Sequence, residues 1–124
     1  MKKRLVISNS GELVRVQPDK VVYISSDGNY CHMFQADNES RLLSFQLGEL
    51  VRMTISQLGP DNPFIKVGRG LLINRNYAYY INIGKQQLIL SDADKFSYRV
   101  SASKEALKNL KNELEEELEK KTTW

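Results

Sequence analysis

Short apolar stretches separated by turn residues run through the first hundred residues of the chain. Their length and their β-branched and aromatic content are typical of strands, and Gly, Pro, Asp or Asn occupy most of the gaps. In order, ten such stretches are RLVIS, ELVRVQ, VVYIS, YCHMFQA, RLLSF, FIKV, LLIN, AYYINI, QLILS and FSYRV. This series predicts a mainly β domain of about ten short, mostly antiparallel strands in small packed sheets, arranged as a sandwich or barrel.

Polar and apolar side chains alternate within several of these stretches, as expected for strands with one buried face. In YYINI, the alternation assigns Tyr79, Ile81 and Ile83 to one face and Tyr80 and Asn82 to the other. A strand with two distinct faces is therefore predicted there.

Two segments follow a helical period instead. Between residues 46 and 58 the apolar positions recur at i, i+3, i+4, i+8 and i+11, namely Leu47, Leu50, Val51, Ile55 and Leu58. Gly59 followed by Pro60 is a typical helix stop, because glycine accepts the left-handed conformation and proline cannot continue the helix. One short internal helix is predicted.

The second helix is predicted at about residues 103–120, with a narrow stripe of leucines and charged residues on its other faces. The stripe consists of Leu107, Leu110, Leu114 and Leu118. Such a stripe most often docks on its own domain, and a self-pairing seam is the alternative. We therefore expect one domain, with a β-rich part at residues 1–104 and an amphipathic helix at residues 105–124.

Composition adds limits on location and partners. Residues 1–104 hold fourteen Lys/Arg and nine Asp/Glu, whereas residues 105–124 hold four and six, so the body is basic and the tail acidic. A basic body suits a polyanionic partner but also fits an ordinary domain. The lone Cys31 excludes an internal disulfide, and no apolar run reaches membrane-spanning length, which together indicate a cytoplasmic protein.

The residues that could carry chemistry do not form a catalytic or metal-binding set. Cys31 and His32 are adjacent, but zinc needs three or four ligands and the chain has no other His or Cys. Gly68 and Gly70 begin a dinucleotide fingerprint that has Ile73 where its third glycine belongs. We therefore expect no enzyme activity, cofactor, metal or small-molecule substrate.

Polar and basic residues recur instead at predicted chain reversals. Glycines on both sides of Arg69 predict a sharp corner from which one guanidinium projects. Arginine binds guanine or phosphate, and asparagine pairs with adenine. The candidate DNA-binding residues are Asn29, Tyr30, Lys66, Arg69, Arg75 and Lys104.

The order of these features resembles that of LytTR-type DNA-binding domains of bacterial transcription regulators. The matching pieces are the turn with GNY, an amphipathic helix after a leucine-rich strand, the block FIKVGRGLLIN, and a closing VS before a helix. The resemblance covers nearly the whole chain after about residue 10. It implies an elongated all-β fold, related to response regulators, whose loops enter successive major grooves of bent DNA.

The resemblance also implies individual contact residues. The GNY turn corresponds to Asn29 or Tyr30, the VxR segment to Arg69, and a family arginine after VS to position 102, which is alanine here. Gly68 stands where the family commonly has histidine. Lys104 supplies a charge nearby, but it lacks the planar fork with which arginine reads guanine.

We therefore expect a stand-alone regulator that binds double-stranded DNA sequence-selectively, with two protomers on direct repeats. One alternative is a single-stranded nucleic-acid binder of the OB type, whose stacking residues would be Tyr23, Tyr30, Tyr79 and Tyr80. Most of these tyrosines are interpreted as packing residues, which ranks that alternative second. The other alternative is a protein-interaction module that docks through its terminal helix.

Overall fold

The computed structural model describes residues 4–122, with side chains described as far as residue 119, so the last two residues of the predicted 105–124 segment lie outside the description. The elements are β1 (Leu5–Ser8), β2 (Leu13–Val16), β3 (Val21–Asp27), β4 (Tyr30–Gln35), β5 (Ser40–Leu43), α1 (Leu47–Leu58), β6 (Phe64–Val67), β7 (Leu71–Asn74), β8 (Ala78–Asn82), β9 (Gln87–Ser91), β10 (Ser97–Ser101) and α2 (Lys104–Thr122). All ten predicted strands and both helices are confirmed, with ends within two residues.

The strands form three separate antiparallel sheets. β1 pairs with β2, the order β5-β4-β3-β7-β6 makes a five-stranded sheet, and β10-β9-β8 makes a three-stranded sheet. The five-stranded sheet is the middle layer, since its central strands β3 and β7 contribute side chains to a core on each face.

The first core lies between the five-stranded sheet, the β1–β2 hairpin and α1. Its most buried members include Ile7, Ile24, Met33, Phe45 and Leu50. The second core lies on the other face, between that sheet, the three-stranded sheet and α2. Its most buried members include Val22, Ile73, Leu88, Leu90 and Leu107.

Helix α1 begins with a capping box, in which Gln46 and Glu49 satisfy each other's backbone amides. The predicted buried face is wrong at one position, because Ile55 is 60% exposed and Thr54 is buried in its place. Thr54 lies four residues after Leu50 and four before Leu58, so it falls on their stripe, whereas Ile55 is rotated about 100° away from it.

Helix α2 packs against β6 and β8 with the first half of its leucine stripe. Leu107 and Leu110 are buried, Leu114 is partly buried and Leu118 is 64% exposed. The first half of the stripe docks on its own domain, as predicted, and a self-pairing seam stays the alternative interpretation. Neither helix in the described part of the chain has the length and apolar character that crossing a membrane requires.

The alternation predicted in β8 is wrong at Tyr79, and the packing role predicted for most of the tyrosines is wrong as well. A bulge between Ala78 and Tyr80 leaves Tyr79 unmatched by the partner strand and exposed, whereas the prediction placed it on the face of Ile81 and Ile83. Tyr80 is exposed on the other face, as predicted, where its hydroxyl accepts from the side-chain amide of Asn82 at 3.0 Å. Tyr30 is also exposed at the start of β4, and Tyr23 alone of the four is buried.

Candidate nucleic-acid interface

Several chain reversals meet at one end of the five-stranded sheet. The β3–β4 turn at Gly28–Asn29 lies beside the β6–β7 turn at residues 68–70, because β3 pairs with β7. The amide of Ser26 donates to the carbonyl of Gly70 at 2.9 Å and so joins the two hairpins directly. We call this region the turn end.

Two further turns are held at the turn end by long-range hydrogen bonds. In the β8–β9 turn, the carbonyl of Gln86 accepts from the amide of Ala102, and its side-chain amide donates to the carbonyl of Ala102, both at 3.4 Å. In the β1–β2 turn, Asn9 donates to the carbonyl of Ser44 and Glu12 accepts from its amide. The turn end therefore comprises the turns at residues 9–12, 27–30, 68–70 and 83–86 and the segment 101–105.

The two ends of the molecule differ in charge. The turn end and its adjoining strand residues carry Lys66, Arg69, Lys85 and Lys104 against Glu12, Asp27 and Glu105. The opposite end carries Asp19, Asp37, Glu39, Asp61, Asp92, Asp94 and Glu117 against Arg4, Lys20, Arg75 and Lys95. The turn end thus carries one excess positive charge and the opposite end three excess negative charges, a difference that favours a polyanion at the turn end over the opposite end.

The hairpin between β6 and β7 presents Arg69 to solvent. Gly68 has φ +63°, a left-handed conformation that favours glycine, although a Cβ there would meet the Cβ of Ala106 only at an ordinary 3.5 Å. A Cβ at Gly70 would come within 3.3 Å of the Ser26 hydroxyl oxygen, so that side chain would have to shift by a few tenths of an ångström to admit it. Arg69 itself is exposed and has no side-chain hydrogen bond or ion pair within the described residues.

The structure brings five of the six candidate residues to the turn end. Asn29 and Tyr30 are exposed at the β3–β4 turn, Lys66 is exposed on β6 near Arg69, and Lys104 is exposed as the first residue of α2. Since β6 is the edge strand next to α2, the hairpin of Arg69 lies between the other two groups.

The sixth candidate, Arg75, lies at the opposite end. Its guanidinium forms an ion pair with Glu117 of α2, and its Nε donates to the carbonyl of Pro63 at 3.4 Å. Both charged side chains are about one third exposed, at 31% and 36%. In this structure Arg75 therefore connects α2 to the segments flanking β6 and β7.

The structure shows the surroundings of two further residues at the turn end, which the sequence motifs do not reveal. Ala102, where the family resemblance implies arginine, is partly buried and packs against the second core. Lys85 was not among the sequence candidates, since a lysine after a glycine in a turn has no distinctive pattern. Only the hydrogen bonds between Gln86 and Ala102 show that its turn belongs to the same end.

Cys31 and His32 occupy opposite faces of β4. Burial raises the pKa of the Cys31 thiol, and the nearby Glu49 carboxylate raises it further, so the sulfur stays protonated in the first core. The His32 ring packs 4.9 Å from that of Phe34. No group of three potential metal-binding side chains occurs in the described part of the chain.

Comparison with known proteins agrees with this arrangement. The family model for the LytTr DNA-binding domain matches residues 11–115. A solved LytTr DNA-binding domain, from a Bacillus cereus protein described as a methyl-accepting/DNA response regulator, aligns with a TM-score of 0.62 at 18% identity over 92% of this chain and 98% of its own. At that identity the likeness shows the fold alone. No curated protein matches the chain.

Proposed function

The chain belongs to the LytTR family of DNA-binding domains, which implies DNA binding in transcription regulation, and we propose that it binds double-stranded DNA sequence-selectively through its turn end. The observation that carries this proposal is the exposed Arg69 hairpin, held between the Asn29–Tyr30 turn and the start of α2. The opposite end, with its excess of carboxylates, faces away from the duplex.

Affinity and selectivity come from different residues in this proposal. Lys66, Lys85 and Lys104 neutralise phosphates, which gives sequence-independent attraction. Arg69 and the Asn29–Tyr30 turn contact base edges, with the loops of the turn end entering successive major grooves. This binding would take place in the cytoplasm, where bacterial DNA lies.

Replacing Arg69 tests the assignment of base reading. Arg69→Ala should weaken binding to a duplex selected from a random library by about 1–3 kcal/mol and binding to random duplex much less. Arg69→Lys is the matched control, because it keeps the charge and loses the bidentate fork. If alanine weakens binding to both duplexes equally while lysine restores it, Arg69 contacts phosphate instead.

The salt dependence of binding tests the phosphate contacts. The slope of log K against log salt should become shallower by about 0.9 for each lysine at the turn end that is replaced by alanine. Lys20→Ala at the opposite end should leave the slope unchanged, since that residue lies away from the proposed interface. Equal effects at both ends would contradict the proposed orientation.

We further propose that two protomers occupy direct repeats, as the family resemblance implies. Sedimentation equilibrium on a duplex carrying both half-sites should give two chains per duplex, and removing one half-site should give one. A single chain on the intact two-site duplex would refute this arrangement.

The exposed tyrosines favour a second candidate function, the binding of single-stranded nucleic acid. Tyr30 lies at the turn end, and Tyr79 and Tyr80 lie on β8, where bases could stack on them. Competition between a duplex and its separated strands distinguishes the two functions, since preference for single strands would favour stacking. A chain that binds neither nucleic acid, yet captures a protein through α2, would instead be an interaction module.

A further inference from the structure

A groove of about 700 Å³ runs between the β6–β7 hairpin and the first three turns of α2. Small residues make room for it, since Gly68, Gly70, Ala102 and Ala106 all contribute to its lining. It opens beside Arg69 and therefore belongs to the proposed DNA-binding surface.

Much of this groove is suited to a phosphate group. Lys66 and Arg69 line the hairpin side, and the hydroxyl-bearing residues Ser101 and Ser103 line the approach to α2. The hydroxyl oxygen of Ser103 accepts from the amide of Ala106 at 3.1 Å, which places the N-terminus of α2 at the groove. Its first amides add partial positive charge. On these features alone, DNA backbone would settle in the groove regardless of sequence.

Two carboxylates on the α2 side oppose that binding. Glu105 and Glu113 both line the groove and are exposed, with Asn109 between them. Spacings of four residues place all three on one face of the helix. They thus put negative charge along the wall that faces Lys66 and Arg69, where a phosphate would otherwise lie.

We propose that Glu105 and Glu113 are selectivity determinants that keep phosphate groups out of this groove. Because the backbone cannot settle between the hairpin and α2, Arg69 is left free to contact base edges. This inference rests on the proposed DNA-binding function and adds residues that lower binding to unrelated sequences.

The test measures the affinity of the double variant Glu105→Gln/Glu113→Gln and of the wild-type chain for random and selected duplexes at several salt concentrations. Removing two screened charges several ångströms from a phosphate should tighten binding to random duplex about two- to fivefold at low salt. One added phosphate contact should steepen the salt slope by about 0.9. Binding to the selected duplex should change less than about twofold, because Arg69 is already engaged with bases there.

Glu115→Gln is the matched control. It removes one negative charge from the same helix, as Glu113→Gln does, but Glu115 lies on another face, where it pairs with Lys111 at 3.1 Å. Glu113→Gln alone should show a smaller effect of the same kind. This single variant keeps the test valid if loss of Glu105, an acidic residue in the first turn of α2, weakens the helix N-terminus.

The outcomes separate this inference from the proposed function. A gain on random duplex with a steeper slope, absent in Glu115→Gln, supports it. An equal gain from Glu115→Gln, an equal gain on selected and random duplexes, or no gain would overturn it while leaving DNA binding intact. A wild-type chain that binds no duplex at low salt would overturn both.

Discussion

Replacing Asn74 should strongly destabilise the fold while leaving the arrangement of the turn end in the folded molecules unchanged. Asn74 ends β7 and is fully buried. Its side-chain amide donates to the carbonyls of Pro18 and Val21, both at 3.1 Å, and its carbonyl oxygen accepts from the amide of Asn76 at 3.0 Å. One side chain therefore links the segment of residues 18–21 to the end of β7 and the turn that follows it, at the end opposite Arg69.

The expected loss follows from these contacts. A hydrogen bond contributes about 1 kcal/mol net, and leaving a buried partner unsatisfied adds to the penalty, so Asn74→Ala should lower the free energy of unfolding by about 2–4 kcal/mol. For a domain of 124 residues, the melting temperature should fall by about 8–15 °C. Asn76→Ala is the matched control, since its side chain is exposed and a change within about 0.5 kcal/mol is expected.

The assay is urea denaturation followed by circular dichroism, with duplex binding measured at a temperature where each variant is folded. Asn74→Asp adds a pH test, because a buried carboxyl facing two carbonyls has a raised pKa in the folded state. Its stability should therefore be greatest below the unfolded pKa of about 4 and should fall as pH rises through the folded pKa. A loss below about 1 kcal/mol for Asn74→Ala, or an equal loss for Asn76→Ala, would refute the reasoning.

Three further predictions test other contacts. Arg75→Ala should lower the free energy of unfolding, measured in urea, by only about 0.2–1 kcal/mol, because its ion pair with Glu117 is partly exposed. Duplex affinity should not change. A clear loss of affinity would show that Arg75 contacts DNA. By the same measurement, Leu107→Ala should lower the free energy of unfolding by about 2–5 kcal/mol and Leu118→Ala by at most about 0.5 kcal/mol. Similar losses for the two variants would contradict the docking of α2 through only the first half of its leucine stripe. Partial desolvation acts to raise the pKa of Asp92, but backbone amides, chiefly those of Phe96, Asp94 and Lys95, outweigh it and lower that pKa. The stabilisation from Asp92 should thus be present above about pH 4 and lost as pH falls through the folded pKa, a dependence that Asp92→Asn should abolish in urea titrations at several pH values.

Local pattern determined the secondary structure of this chain. Alternation with period two, helical spacing and turn residues each act over a few positions, so ten strands and two helices could be predicted to within two residues. The prediction was wrong where contact with a distant strand changed the local alternation of side chains. The bulge between Ala78 and Tyr80 depends on pairing with β9, so the exposure of Tyr79 could not be recognised from β8 alone.

The sequence motif likewise identified Arg69 and the GNY turn as candidates without showing how they are arranged. The motif pointed to Arg69, but the candidates also included Arg75, although the two residues flank opposite ends of the strand LLIN. Strand pairing decides that one lies at the turn end and the other at the opposite end, paired with Glu117.

By itself, then, the sequence determined the elements, their order and the family they resemble. The tertiary structure decided the division into three sheets, the meeting of distant turns at one end, and the place of Lys85, Glu105 and Glu113 beside Arg69. The physical reason is that propensity and periodicity act between neighbours in the chain. The electrostatic field at a surface depends instead on which charged residues, distant in the chain, the pairing of strands brings together.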